Sequence, residues 1–182
     1  MEANEKISLG TRSDPRRLPL APQVRPQRVN PATGRKTTVY TFDGVNEGNP
    51  LAPLINVHGT LYGKTFGTGY GKEAGSIFSP DPVTGAETML YSFAAANSGN
   101  APKAGLTFVN GIFYGTTCGY QMPGGGTMFS FDPSTKLLTT LYTHTSILGA
   151  NPQSALVFRN GALYGTTPQG GSAGRARFSN IA

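Results

Sequence analysis

Apolar residues along this chain fall in short runs, each closed by a turn-forming pair. Val109 and Phe113 flank Asn110-Gly111, Asn160-Gly161 repeats the pair, and His58-Gly59 stands at the same place earlier. An Asn-Gly pair between apolar runs selects a two-residue type I′ turn, because both central positions need φ > 0. His tolerates left-handed geometry better than most residues, so His58 reads as a turn residue. A second hairpin is written as the run 127–131, the turn Asp132-Pro133, and the run 137–142. There the first turn residue accepts a backbone N–H with its side chain, and Pro fixes the next φ. Two such hairpins predict about four short strands per unit, joined by Gly/Ala/Asn-rich links.

The units recur. Tyr62-Gly63 returns as Tyr114-Gly115 and Tyr164-Gly165, and Asn30-Pro31 returns as Asp81-Pro82 and Asp132-Pro133 in steps of 51. Gly48-Asn49-Pro50 has looser echoes around Pro102 and Pro152. Four strands in about 50 residues is the size of a kelch-type propeller blade. A β-sandwich also has short, regularly spaced strands, but it does not predict a period of 51. The expected architecture is therefore all-β and β-propeller-like, with three four-stranded units over about residues 29–79, 80–130 and 131–182. Three units are fewer than the 4–8 blades of closed propellers, so an open or incomplete propeller is expected, with strand edges available for self-association. The last unit supports this, since Gly174–Ser179 begins a strand with two basic residues and no Asp-Pro turn follows. A disordered Pro/Arg-rich tail is expected over residues 1–28.

The cluster Asn-Gly-x-Leu/Phe-Tyr-Gly-Thr-Thr, then Gly-Gly, then Gly-x-x-Phe-Ser-x-Asp-Pro-x-Thr-Gly, then Leu-Tyr-x-Phe resembles the GloVer-type tandem repeat of choice-of-anchor bacterial surface proteins. The resemblance runs from about Asn30 to Gly174. It implies a propeller-like fold, a secreted or cell-surface location for the parent family, and no catalytic residues.

Composition narrows the class. The chain has 182 residues with 25 Gly and 14 Pro, and 13% of it is charged. Glycine and proline at roughly a fifth of the chain disfavour a helical bundle, and the absence of a three-residue period excludes collagen. No apolar run reaches the 18 residues of a membrane span. The formal net charge of +6 suggests nucleic acid until it is located. Residues 1–36 hold eight basic and three acidic groups, a net of +5, which leaves +1 on the remainder. A nucleic-acid surface needs its basic groups clustered on the folded part, so nucleic acid is not the expected partner. The N-terminal residues show no secretory h-region.

Candidate chemistry is sparse. Cys118 is the single cysteine, so neither an intrachain disulfide nor a thiolate metal site can form, and no basic neighbour in sequence activates it. His144 falls where Phe42 and Phe93 stand and reads as a packing position. Gly67–Glu73 lacks the Gly-Lys-Ser/Thr spacing of a phosphate loop. Asp43, Asn46 and Glu47 are candidate calcium ligands, but Val45 breaks the EF-hand pattern. Arg16–Pro22 matches a basic PxxP ligand. Tyr62, Tyr114 and Tyr164 either pack between blades or ring a channel, and burial of 150–250 Å² per aromatic ring favours packing. The pairs Tyr62-Gly63, Tyr114-Gly115, Tyr164-Gly165, Asn110-Gly111, Asn160-Gly161, Asp81-Pro82 and Asp132-Pro133 are assigned to the scaffold.

The expected function is a non-catalytic module of a bacterial surface or secreted protein, with no cofactor, displaying or binding a glycan or protein. The alternative is an enzyme or cofactor-binding propeller with its site at the channel mouth. Asp43, Glu47, His144 and Arg159 are the unit-specific polar residues available to it. A third reading binds nucleic acid through the basic tail.

Overall fold

Local turn chemistry sets the strand boundaries. In the computed structural model, which describes residues 27–38, 40, 42, 49–67, 74–93, 99–119, 125–145, 149–169 and 177–181, His58, Asn110 and Asn160 have φ of 50°, 49° and 50°. The glycines that follow, Gly59, Gly111 and Gly161, have φ of 89°, 89° and 82°, which meets the type I′ requirement. The other hairpin closes on a side-chain clamp. Asp81 Oδ1 accepts the Val83 and Thr84 N–H groups, Asp132 Oδ1 accepts those of Ser134 and Thr135, and Asn30 Oδ1 those of Ala32 and Thr33.

These turns divide the described residues into thirteen strands and no helix. They are β1 Gln27–Val29, β2 Lys36–Thr38, β3 Ile55–Val57, β4 Thr60–Thr65, β5 Ser76–Pro80, β6 Glu87–Ser92 and β7 Thr107–Val109, then β8 Ile112–Thr117, β9 Thr127–Asp132, β10 Leu137–Thr143, β11 Val157–Arg159, β12 Ala162–Thr167 and β13 Arg177–Ile181. All pairings between named strands are antiparallel. The sheets are β3-β4-β5-β6, β7-β8-β9-β10, β11-β12-β13 and the pair β1-β2. Each four-stranded sheet opens on the Asn-Gly type hairpin and ends on the Asp-Pro hairpin. The sheets are therefore phased differently from units counted from the Asp-Pro turn: each takes three strands from one such unit and its last strand from the next. β1 begins at Gln27, so the last two residues of the expected tail belong to a strand; residues 1–26, and Asp43, Asn46 and Glu47, lie outside the described residues.

Within a sheet, the Tyr-Gly glycine makes room for an aromatic ring on the next strand. Gly63 stands opposite Phe78 and Gly115 opposite Phe129. A Cβ on Gly115 would lie 2.7 Å from Phe129 Cζ, and one on Gly63 2.6 Å from Phe78 Cζ. Next to this, a buried hydroxyl fastens the two strands. Thr65 Oγ1 accepts the Ser76 N–H at 3.0 Å, and Thr117 Oγ1 accepts the Thr127 N–H at 3.0 Å. The third sheet departs from both rules. Its register is one residue off, with Gly165 opposite Ser179, and the buried Thr167 Oγ1 finds no partner among the described residues.

Between sheets, the same repeat positions meet twice. Ile77, Tyr62 and Tyr91 of the first sheet pack against Leu106, Phe113, Phe129 and Phe131 of the second and its approach. Met128, Tyr114 and Tyr142 of the second pack against Leu156 and Leu163. Phe78, Phe113, Phe129 and Phe131 are fully buried. Tyr62 and Phe113 meet with ring centroids 4.6 Å apart. The segment after β2 meets the first sheet in the same manner: Phe42 packs edge-on against Phe78 at 5.1 Å, as Phe93, after β6, packs against Phe129 at 5.3 Å.

Candidate functional site

Lys64 is the residue that the repeat explains least. It follows Tyr62-Gly63 on β4, where the other units have Thr116 and Thr166. Its side chain is 1% exposed and enters the interface with the second sheet. Nζ donates to the Thr116 carbonyl at 3.3 Å and lies 5.2 Å from the centroid of the Phe129 ring. Gly115 leaves the space it needs, since a Cβ there would stand 2.9 Å from Nζ. Loss of hydration pulls the Lys64 pKa down to about 7, and the Cys118 sulfur acts weakly the other way.

Cys118, just after β8, lies within electrostatic reach of Lys64. Burial pushes its thiol up, against the opposing effect of Lys103 and, less, of Lys64. Its Sγ donates to the Pro152 carbonyl at 3.5 Å. A raised thiol is a poor nucleophile, because the thiolate is the reactive form. The result is an amine near its titration point and a protonated thiol, both enclosed. Among the described residues neither has a histidine or carboxylate partner that would orient a proton transfer. The two cations that face Cys118 are 54 and 15 residues away in sequence, beyond the reach of a local reading. A lysine standing in a column of threonines was the available clue to Lys64.

His144 is 2% exposed at the end of β10. Tyr142 and His144 meet edge-on at 5.0 Å, just as Tyr91 meets Phe93 at 5.3 Å and Tyr40 meets Phe42 at 5.1 Å. The imidazole thus occupies a phenyl position. Burial lowers its pKa, opposed by the Gly149 backbone. His58 is exposed on its turn, with its ring 6.4 Å from that of Phe108. Among the described residues the two histidines are not brought together with any acid, and no three His, Cys, Asp or Glu side chains could share a metal ion.

Two concave surfaces lie among the described residues. One, of about 450 Å³, lies between the β1-β2 hairpin and the Asp81-Pro82 turn and is lined by Arg28, Arg35, Thr37, Thr38 and Thr84 among others. The other, of about 640 Å³, lies on the third sheet over Val157, Arg159, Tyr164 and Gly165. The first offers guanidinium and hydroxyl donors to a polar ligand. The second is mainly apolar.

Antiparallel sheets that recur with one period and stack through equivalent faces define a β-propeller-like repeat protein. Among solved structures, TolB from Acinetobacter baumannii, a β-propeller protein, is similar at 16% identity and a TM-score of 0.50, over 85% of this chain and 34% of TolB. The tricorn protease is similar at 16% identity and a TM-score of 0.40, over 69% and 12% of the two chains. A puromycin hydrolase mutant complexed with PGG is similar at 19% identity and a TM-score of 0.37, over 68% and 20%. This chain thus spans about a third or less of their lengths. No curated protein is matched. The chain belongs to the Gloeobacter/Verrucomicrobia repeat family, whose sequence pattern matches residues 27–178.

Proposed function

We propose that this chain is a non-catalytic repeat module of a bacterial surface or secreted protein that displays or binds a glycan or protein ligand. The observation that carries the reading is how the recurrent side chains are used. Tyr62, Tyr114, Phe113, Phe129, Thr65 and Thr117 make contacts to neighbouring strands and sheets, which leaves them to build the scaffold. Residues that vary between units stand outward at the turns, such as Val83 at 91% exposure. The recess beside Arg28, Arg35 and Thr84 supplies donors suited to a polyol or an acidic group. Glycan-array and immobilised-protein binding with the full chain, run beside a hydrolase and lyase screen, tests this. Saturable binding weakened by Arg35→Ala is the expected result. Substrate turnover by homogeneous protein would overturn the reading in favour of an enzyme.

A further inference from the structure

The interface between sheets occurs twice inside the chain, and its two halves are each left over once. At the rear of the first sheet, Leu54 is 39% exposed, while Leu106 and Leu156 at the same repeat position are 8% and 4% exposed. On the front of the third sheet, Val157 is 63% exposed. Its counterpart Ile55 packs into the core, and its counterpart Thr107 bonds the Leu156 carbonyl. The apolar groove over Val157, Tyr164 and Gly165 therefore has the residues that elsewhere receive the next sheet. We propose that the front of the third sheet binds the rear of the first sheet in a second copy of this chain, head to tail.

Strand pairing makes the docking specific. Counting back by the repeat, β1 corresponds to β5 and β9, yet it pairs with β2 alone and leaves its other edge open among the described residues. The β1-β2 hairpin already lies beside the first sheet: Arg28 and Thr37 share a recess with Pro82 and Thr84 of its Asp-Pro turn, and Phe42, after β2, packs on Phe78. A third sheet arriving there sets its β12 beside that open edge. The register of the other sheets then places Leu163 opposite Val29 and Tyr164 opposite Arg28, as Phe113 stands opposite Phe131 and Tyr114 opposite Ser130. β13 holds this place within one copy with a register one residue off, and it yields to β1 of the partner copy. A head-to-tail contact repeats one rotation, so it closes into a ring or grows into a filament. Each copy has three Tyr-Gly strands, β4, β8 and β12, and a pair therefore brings six sheets, inside the 4–8 that closed propellers use.

Sedimentation equilibrium of the full chain tests this, with Leu54→Asp and Val157→Asp as surface variants whose folding is checked by circular dichroism. The wild type should have the mass of two copies. Each variant alone should dissociate at least tenfold more readily. An equimolar mixture of the two variants should recover a pair, because one unaltered front then meets one unaltered rear. Mixed Val29→Cys and Leu163→Cys proteins should form a disulfide between copies on oxidation. A monomeric wild type, a polymer that lengthens with concentration, variants without effect, or a mixture that stays dissociated would each overturn the proposal.

Discussion

Replacing Lys64 with Met should stabilise the protein at neutral pH and flatten its pH dependence. Folded Lys64 loses its proton near pH 7, whereas in the unfolded chain it does so near 10.5. Between these values the unfolded chain binds more protons, so stability rises with pH, by about 1.4 kcal/mol per pH unit. Carried over the whole gap, the burial costs the native state on the order of 4–5 kcal/mol at neutral pH. Met keeps the aliphatic stem but leaves the Thr116 carbonyl without its donor, at a cost of about 1–3 kcal/mol. The net expectation is a gain of about 2 kcal/mol, in the range seen when buried charges give way to apolar residues. The assay is urea unfolding of both proteins between pH 7.5 and 9. That window avoids His144, whose lowered pKa removes stability as pH falls below its ordinary 6.5. It also avoids Cys118, whose raised pKa removes stability as pH climbs above its ordinary 9.0. Wild type should gain about 2 kcal/mol across the window and Lys64→Met almost nothing. Equal slopes would show that Lys64 is hydrated in the native state and refute the reasoning.

Gly115→Ala should destabilise by about 1–3 kcal/mol through overpacking, because its Cβ meets Phe129 and the Lys64 amine at once. Gly165→Ala, which meets a single Leu156 methyl, should cost less; equal midpoints in urea would count against the close approach. Lys136 holds φ 57° where Gly34 and Gly85 occupy the equivalent turns at 65° and 74°. Lys136→Gly should therefore raise stability by about 0.5–1 kcal/mol, the left-handed penalty less the added chain entropy, and a lower melting temperature would contradict it.

The turns were legible in sequence because their conformations are decided within four residues. Asn110-Gly111 and Asp132-Pro133 dictate their own φ values and clamps, and strand positions follow from them. Sheet phase was not legible, since a period of 51 is the same wherever counting starts. Only the pairing of Gly63 with Phe78 and of Gly115 with Phe129 shows which hairpins share a sheet. The start of β1 at Gln27 was hidden for a related reason. Pro26 and Arg28 break the apolar alternation, and the strand is held by its partner β2. His144 could be placed from its column of phenylalanines. Lys64 and Lys103 could not be linked to Cys118 from sequence, because Lys64 acts on it from another sheet and Lys103 from the loop before β7.

The repeat encodes contacts between sheets, and Tyr62 with Phe113 is its most direct expression. The rings lie 4.6 Å apart on different sheets, 51 residues apart in the chain. A double-mutant cycle of Tyr62→Ala and Phe113→Ala, followed by urea unfolding, isolates that contact from the burial of each ring. A coupling of about 0.5–1.5 kcal/mol is expected for the pair. Effects that add to within about 0.3 kcal/mol would place the two rings in separate environments and contradict the stacked-sheet account.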